Sequence, residues 1–132
     1  MSNKIDDIIV ELIKDLKVEY SSDFSGIYLF GLFLDGKMHP DEDIELVAIF
    51  NKEQSKEQRE KIWRIIGKIE EDFDVFIDLH PHTIQSLKKE EELFEEVSQD
   101  GIFFNAELFW FCWALLTNDT VFVILKRSID AL

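Results

Sequence analysis

Ile5, Ile8, Ile9, Leu12, Ile13 and Leu16 step by three and four along the start of the chain, the spacing that lines one face of an α-helix. Ser2 and Asn3 precede this run as N-cap candidates, and Asp6 and Asp7 fall in its first turn, where carboxylates complement the helix dipole. The rhythm then changes. Serines and an aspartate collect over residues 20–25 ahead of Gly26, and Ile27-Tyr28-Leu29-Phe30 is an unbroken apolar run of β-formers, which predicts a buried strand. Residues 44–50 predict a second strand, and their near-continuous hydrophobicity predicts a sheet covered on both faces. Helical spacing returns over residues 55–73, with Ile62, Ile66, Ile69 and Phe73 on one stripe and Trp63 and Ile65 beside it. Residues 74–79 alternate in the manner of a third strand that ends at His80-Pro81, since proline lacks a ladder donor. A helix follows over residues 83–99 through Ile84, Leu87, Phe94 and Val97, with Gly101 as its C-cap. The predicted order is α-β-β-α-β-α.

Beyond residue 105 the pattern admits two forms. Residues 106–116 look helical, while residues 120–125 could be a strand or the first turns of a terminal helix that continues through Ile129 and Leu132. The reading taken is helical for both, giving an aromatic-rich helical tail. Phe104, Phe109, Trp110, Phe111 and Trp113 cannot share one side of a helix, so this segment is either sandwiched in the core or presented to a partner. The apolar run over residues 102–116 contains Asn105 and Glu107 and is shorter than the roughly 18 to 20 residues a bilayer span needs, so no membrane segment is expected.

Composition narrows the class. The 132 residues are 46% hydrophobic with 12 Phe and 3 Trp, enough for a sizeable core, and no repeat or linker divides them, so a single domain over residues 1–132 is expected. The formal charge of −14 repels phosphate backbones, and lysines and arginines are not clustered, which argues against nucleic acid as a partner. The lone Cys112 cannot form an internal disulfide and sits among aromatics, as expected of a buried thiol in a reducing compartment. The first residues lack the basic and apolar regions of a signal peptide, and a cytoplasmic location is expected. Lys88, Lys89 and the glutamates at 90–92, 95 and 96 read as the solvated face of a helix.

The candidate chemistry sits in residues 31–46, Gly-Leu-Phe-Leu-Asp-Gly-Lys-Met-His-Pro-Asp-Glu-Asp-Ile-Glu-Leu. A strand projects residues i and i+2 to one face, so Asp43 and Glu45 can jointly hold a divalent cation. Both could equally be carboxylates at the solvated end of a sheet. His80 and His82, with no cysteine or third histidine nearby, read as loop residues, and His39 as solvent-facing. No serine-nucleophile elbow, Walker loop or dinucleotide fingerprint is present, so hydrolase and dehydrogenase readings have no support.

Leu29-Phe30-Gly31-Leu32, a second glycine at Gly36, and Pro40-Asp41-Glu42-Asp43-Ile44-Glu45-Leu46 resemble the signature of the minimal nucleotidyltransferases of the DNA polymerase β-like superfamily, Leu-Phe-Gly-Ser followed by Ser-Asp-Ile-Asp-Leu, without gaps. Ile77-Asp78-Leu79 resembles that family's later strand motif, and residues 99–104 its closing Gly-Ile-hydrophobic segment, so the resemblance covers about residues 4–104 and leaves the tail at 105–132 unassigned. It implies an α/β (α+β) fold: a mixed sheet of three or more strands flanked by helices. It also implies that Asp43, Glu45 and Asp78 are catalytic metal ligands for Mg2+, with Asp74 the alternative third carboxylate. Gly31, Leu32 and Gly36 would bind ATP or another nucleoside triphosphate through backbone N–H groups.

Three departures change that expectation. Leu32 replaces the family's serine, Glu45 replaces the second aspartate, and Phe33-Leu34-Asp35 stands where a basic residue is common and adds a negative charge. The expectation is therefore a nucleotidyltransferase-fold protein with a weak or inactive metal and nucleotide site, acting as an interaction or regulatory module. Its aromatic tail would contact a second copy or a small helical protein, in the manner of a toxin–antitoxin pair. The alternative is an active Mg-dependent enzyme that moves a nucleoside monophosphate from ATP to a protein or small-molecule hydroxyl.

Overall fold

The periodic run at the start of the chain forms helix α1 (Lys4–Tyr20) in the computed structural model, which describes residues 4–107. The cap candidates Ser2 and Asn3, Cys112 and the tail aromatics beyond residue 107 lie outside those residues. The chain continues through a short 3-10 turn into strand β1 (Phe24–Phe30), a second 3-10 turn (Gly31–Asp35), strand β2 (Asp43–Phe50), helix α2 (Lys56–Phe73) and strand β3 (Phe76–His82). Helices α3 (Ile84–Lys89) and α4 (Glu91–Asp100) and strand β4 (Ile102–Asn105) complete it. The sheet order is β3-β2-β1-β4, with β2 antiparallel to β1, β4 antiparallel to β1, and β3 parallel to β2 across the α2 crossover. This is the mixed, helix-flanked sheet that the family resemblance implies.

Burial explains the continuous hydrophobicity of the two central strands. On one face Ile27, Leu29, Ile44, Leu46 and Ala48 pack with Ile8, Ile9, Leu12 and Ile13 of α1 and Ile62, Ile66 and Ile69 of α2. On the other, Phe30, Val47 and Ile49 meet Leu87 of α3 and Val97 of α4, with Tyr28, Leu93, Phe94 and Phe103 at the margin. Alternate residues of β1 and β2 therefore face two separate apolar layers, and neither face of these strands has a polar majority. Helix α2 starts at a capping box, in which the Ser55 hydroxyl accepts from the Gln58 N–H and the Gln58 side chain accepts from the Ser55 N–H.

Four sequence expectations are revised. Strand β1 begins at Phe24 instead of Ile27, because Ser25 and Gly26 interrupt the apolar run while the pairing continues through a register irregularity between Phe24 and Gly26. Strand β3 passes through His80 and Pro81 to His82; it is the edge strand, so a proline that cannot donate is tolerated, and both histidines are strand residues instead of loop residues. The single helix expected over residues 83–99 is two helices, broken at Glu90. The segment that closes the motif is itself the fourth strand, too short at four residues to show an alternating signal. Gly101 does cap α4, with extended backbone and its N–H donating to the Val97 carbonyl.

Leu12 and Val18 lie on the same helix with opposite fates, fully buried and 67% exposed. Leu12→Ala is expected to cost about 2–5 kcal/mol in a urea unfolding experiment, whereas Val18→Ala should stay within about 0.5 kcal/mol of the parent.

Candidate functional site

The site is built where β1 turns into β2. Phe30 ends β1 in extended conformation, and the chain then reverses through Gly31 at φ +80 and, five residues later, Gly36 at φ +76. Both angles lie in the left-handed region that side chains resist, which is why glycine occupies both positions. Between them Phe33 is buried and anchors the turn, while Leu32 is 49% exposed at the position where the resembled motif has a hydroxyl.

The loop that follows is held by its own charges. Asp35 accepts from the Lys37 N–H at 2.9 Å, and its two carboxylate oxygens lie 3.1 and 2.9 Å from His39 Nε2. The Lys37 N–H, then His39, hold the Asp35 carboxyl below its ordinary range. The His39 ring stands edge-on to Phe33 at 5.0 Å. His39 is thus a half-buried partner of Asp35, not the solvent-facing residue expected, and the negative charge of Asp35 has a partner. A cleft of about 210 Å³ opens beside this loop, lined by Phe33, Met38, His39, Ile44, Asp74 and Phe76 among others.

Strand pairing then decides which carboxylates meet. In the parallel ladder Glu45 lies opposite Asp78 and Asp43 opposite Phe76, and in the antiparallel ladder Glu45 lies opposite Phe30. Asp43, Glu45 and Asp78 therefore project to one face of the sheet from two neighbouring strands. Asp74 does not join them, because it caps α2 in a left-handed conformation at φ 54 and precedes β3. Asp43 is exposed at the first position of its strand, and Glu45 is half-buried. Burial, followed by the charges of Glu96, Asp78 and Asp43, pushes the Glu45 carboxyl above its ordinary value, against a smaller opposing pull from His80.

Two of these neighbours escaped the sequence reading. His80, two residues beyond Asp78 on the same strand face, brings Nε2 to 3.3 Å from the Asp78 carboxylate and packs its ring near Phe30. The i, i+2 spacing was a usable signal, hidden by reading the strand as ended. Glu96 comes from α4, and nothing in its local pattern set it apart from the other glutamates of that helix.

The Glu45 side chain also has an unexpected position. Its Oε2 lies against Gly31, so that a β-carbon built on residue 31 would collide with it, with Glu45 Cδ at 3.0 Å and Cβ at 3.6 Å from the same point. The chemistry of three carboxylates suits a hard divalent cation such as Mg2+. Among the described residues no three His, Cys, Asp or Glu side chains are grouped as they would be around a metal ion.

The nucleotidyltransferase domain family matches residues 9–103. Among solved structures, a mutant of the MntA-HpeT toxin-antitoxin is similar at TM-score 0.53 and 20% identity, covering 94% of this chain and 85% of that one. A toxin-antitoxin crystallised with AMP-PNP is similar at 0.51 and 19%, over 94% and 85%, and a protein from Shewanella oneidensis at 0.50 and 19%, over 98% and 93%. No curated protein matches the chain. At these identities the structural likeness establishes the fold.

A raised carboxyl binds its proton more tightly in the folded chain than in the unfolded one, so folding loses stability as pH rises from the ordinary glutamate value of 4.5 through the raised one. Glu45→Gln removes that loss. The variant is expected to melt above the parent at neutral pH, with the gain vanishing below pH 4.5; thermal scans across that range check both the sign and the window.

Proposed function

The chain belongs to the nucleotidyltransferase domain family, and from that premise we propose that it is an interaction module whose nucleotide site is weak, acting on a protein partner in the manner of the antitoxin member of a toxin–antitoxin pair. The observation that carries this reading is the gathering of Glu45, Asp78 and Asp43 on one sheet face near Glu96, where burial and these charges push the Glu45 carboxyl above its ordinary value and His80 opposes them only in part. Nucleotidyl transfer depends on preorganised positive charge and donors aimed at the phosphoryl oxygens. Here the turn presents exposed Leu32 in place of a hydroxyl and Asp35 in place of a cation, and His39 offsets Asp35 only in part, being charged only when protonated. The toxin-antitoxin structures that share the fold support a protein partner. The sequence beyond residue 107 holds Phe109, Trp110, Phe111 and Trp113, residue types enriched at protein interfaces, and a small helical protein or a second copy of the chain would be their partner.

A second reading is favoured by the ladder that sets Glu45 beside Asp78 and by the AMP-PNP in a fold neighbour. In it the chain is an active enzyme that moves a nucleoside monophosphate from ATP to a hydroxyl. Asp43, Glu45 and Asp78 would hold Mg2+, and backbone N–H groups at Gly31, Leu32 and Gly36 would bind the phosphates. Bound divalent cations would neutralise charge on the transferring phosphoryl group and align the groups in line. This chain's own residues would orient the carboxylates, His80 steadying Asp78.

Calorimetric titration with Mg2+ and ATP separates the two. The interaction reading expects no saturable heat at micromolar ligand and a species heavier than the monomer by sedimentation; tight binding abolished by Asp43→Asn, with nucleotide transfer to an acceptor, would replace it with the enzyme reading. Leu32→Ser alone is expected to raise transfer by less than about tenfold, although a single well-placed donor can be worth about 10²–10³ in rate, because Asp35 and the crowded carboxylates remain.

A further inference from the structure

We propose that Glu45 is a latch on the glycine turn: its carboxylate lies over Gly31 and occupies the space a phosphate would enter. The inference rests on the reading of this turn as the family's phosphate cradle. The value of glycine there is that bare backbone can approach a phosphate closely. In this chain the approach is taken by a residue of the chain itself, with Glu45 Oε2 seated where a residue-31 side chain would begin.

The ladder shows why Glu45 reaches it. Glu45 is paired opposite Phe30, so Gly31 is the next residue across the strand junction, and the half-buried side chain lies alongside it, with Cβ at 3.6 Å and Cδ at 3.0 Å from the position of a residue-31 β-carbon. An aspartate on the same backbone is shorter by one methylene, about 1.5 Å, which draws its oxygens back from the point that Glu45 Oε2 holds. When the side chain swings off Gly31 the cradle opens. Phosphate binding is opposed while the latch is shut.

Reach and charge can be separated by substitution. Glu45→Asp keeps the charge and loses the reach, Glu45→Gln loses the charge and keeps the reach, and Glu45→Ala loses both. The probe is ATP in excess EDTA, so that no metal contributes, read at the Gly31 backbone amide by NMR; with only five glycines in the chain that resonance is readily assigned. The latch expects Glu45→Asp and Glu45→Ala to bind ATP at least tenfold more tightly than the parent, and Glu45→Gln to stay within about threefold of it. Equal gains in Gln and Ala with none in Asp would show that repulsion, not obstruction, excludes phosphate and would overturn the latch, as would no gain in any variant. The parent is titrated separately with Mg2+ and ATP: tight binding there contradicts the weak-site reading while leaving the latch to stand or fall on the EDTA series.

Discussion

Strand β2 is buried on both faces and paired on both edges, and the position of every group in the site follows from that confinement. Ile44, Leu46 and Ala48 are committed to the layer under α1 and α2, and Val47 and Ile49 to the layer under α3 and α4. A slip of one residue would turn all of them to the wrong layer, so the register is held by the whole core. Asp43 and Glu45, at the start of the same strand, have no freedom to choose their face. They project toward the α4 side because their apolar successors do, and Asp78 joins them because the parallel ladder sets it beside Glu45.

That placement has an electrostatic consequence. Carboxylates brought together by packing must find a cation, a proton or distance from one another. Asp78 has His80, and Asp35 in the neighbouring loop has His39. Glu45 is half-buried beside Glu96, Asp78 and Asp43, and its carboxyl is raised accordingly. Its side chain lies back over Gly31, where the missing β-carbon leaves room. A glycine that serves close approach of a ligand serves equally well for close approach of a neighbouring side chain.

Much of this was legible in the residues themselves. The 3.6 periodicity marks α1 and α2 and the near-continuous apolar run marks β2, because those elements bury a regular stripe or a whole strand, and the two glycines mark the turn because its backbone enters the left-handed region twice. The spacing of Asp43 and Glu45 alone placed them on one face. The misreadings occurred where a local rule yielded to position in the sheet. Pro81 reads as a strand end, yet an edge strand accommodates it; Asp74 reads as a strand residue, yet it is the cap that releases α2 into β3.

Sequence by itself therefore determined α1, α2, the two central strands with their two-faced burial, the glycine turn and the identity of the acidic groups, since each depends on neighbours within a turn or two along the chain. Tertiary structure alone decided which groups meet. That His80 partners Asp78, that Glu96 approaches Glu45 from a helix some fifty residues away, and that the Glu45 carboxylate rests on Gly31 all depend on strand order and register. Those are settled by burying the whole core at once, and no short stretch of sequence records them.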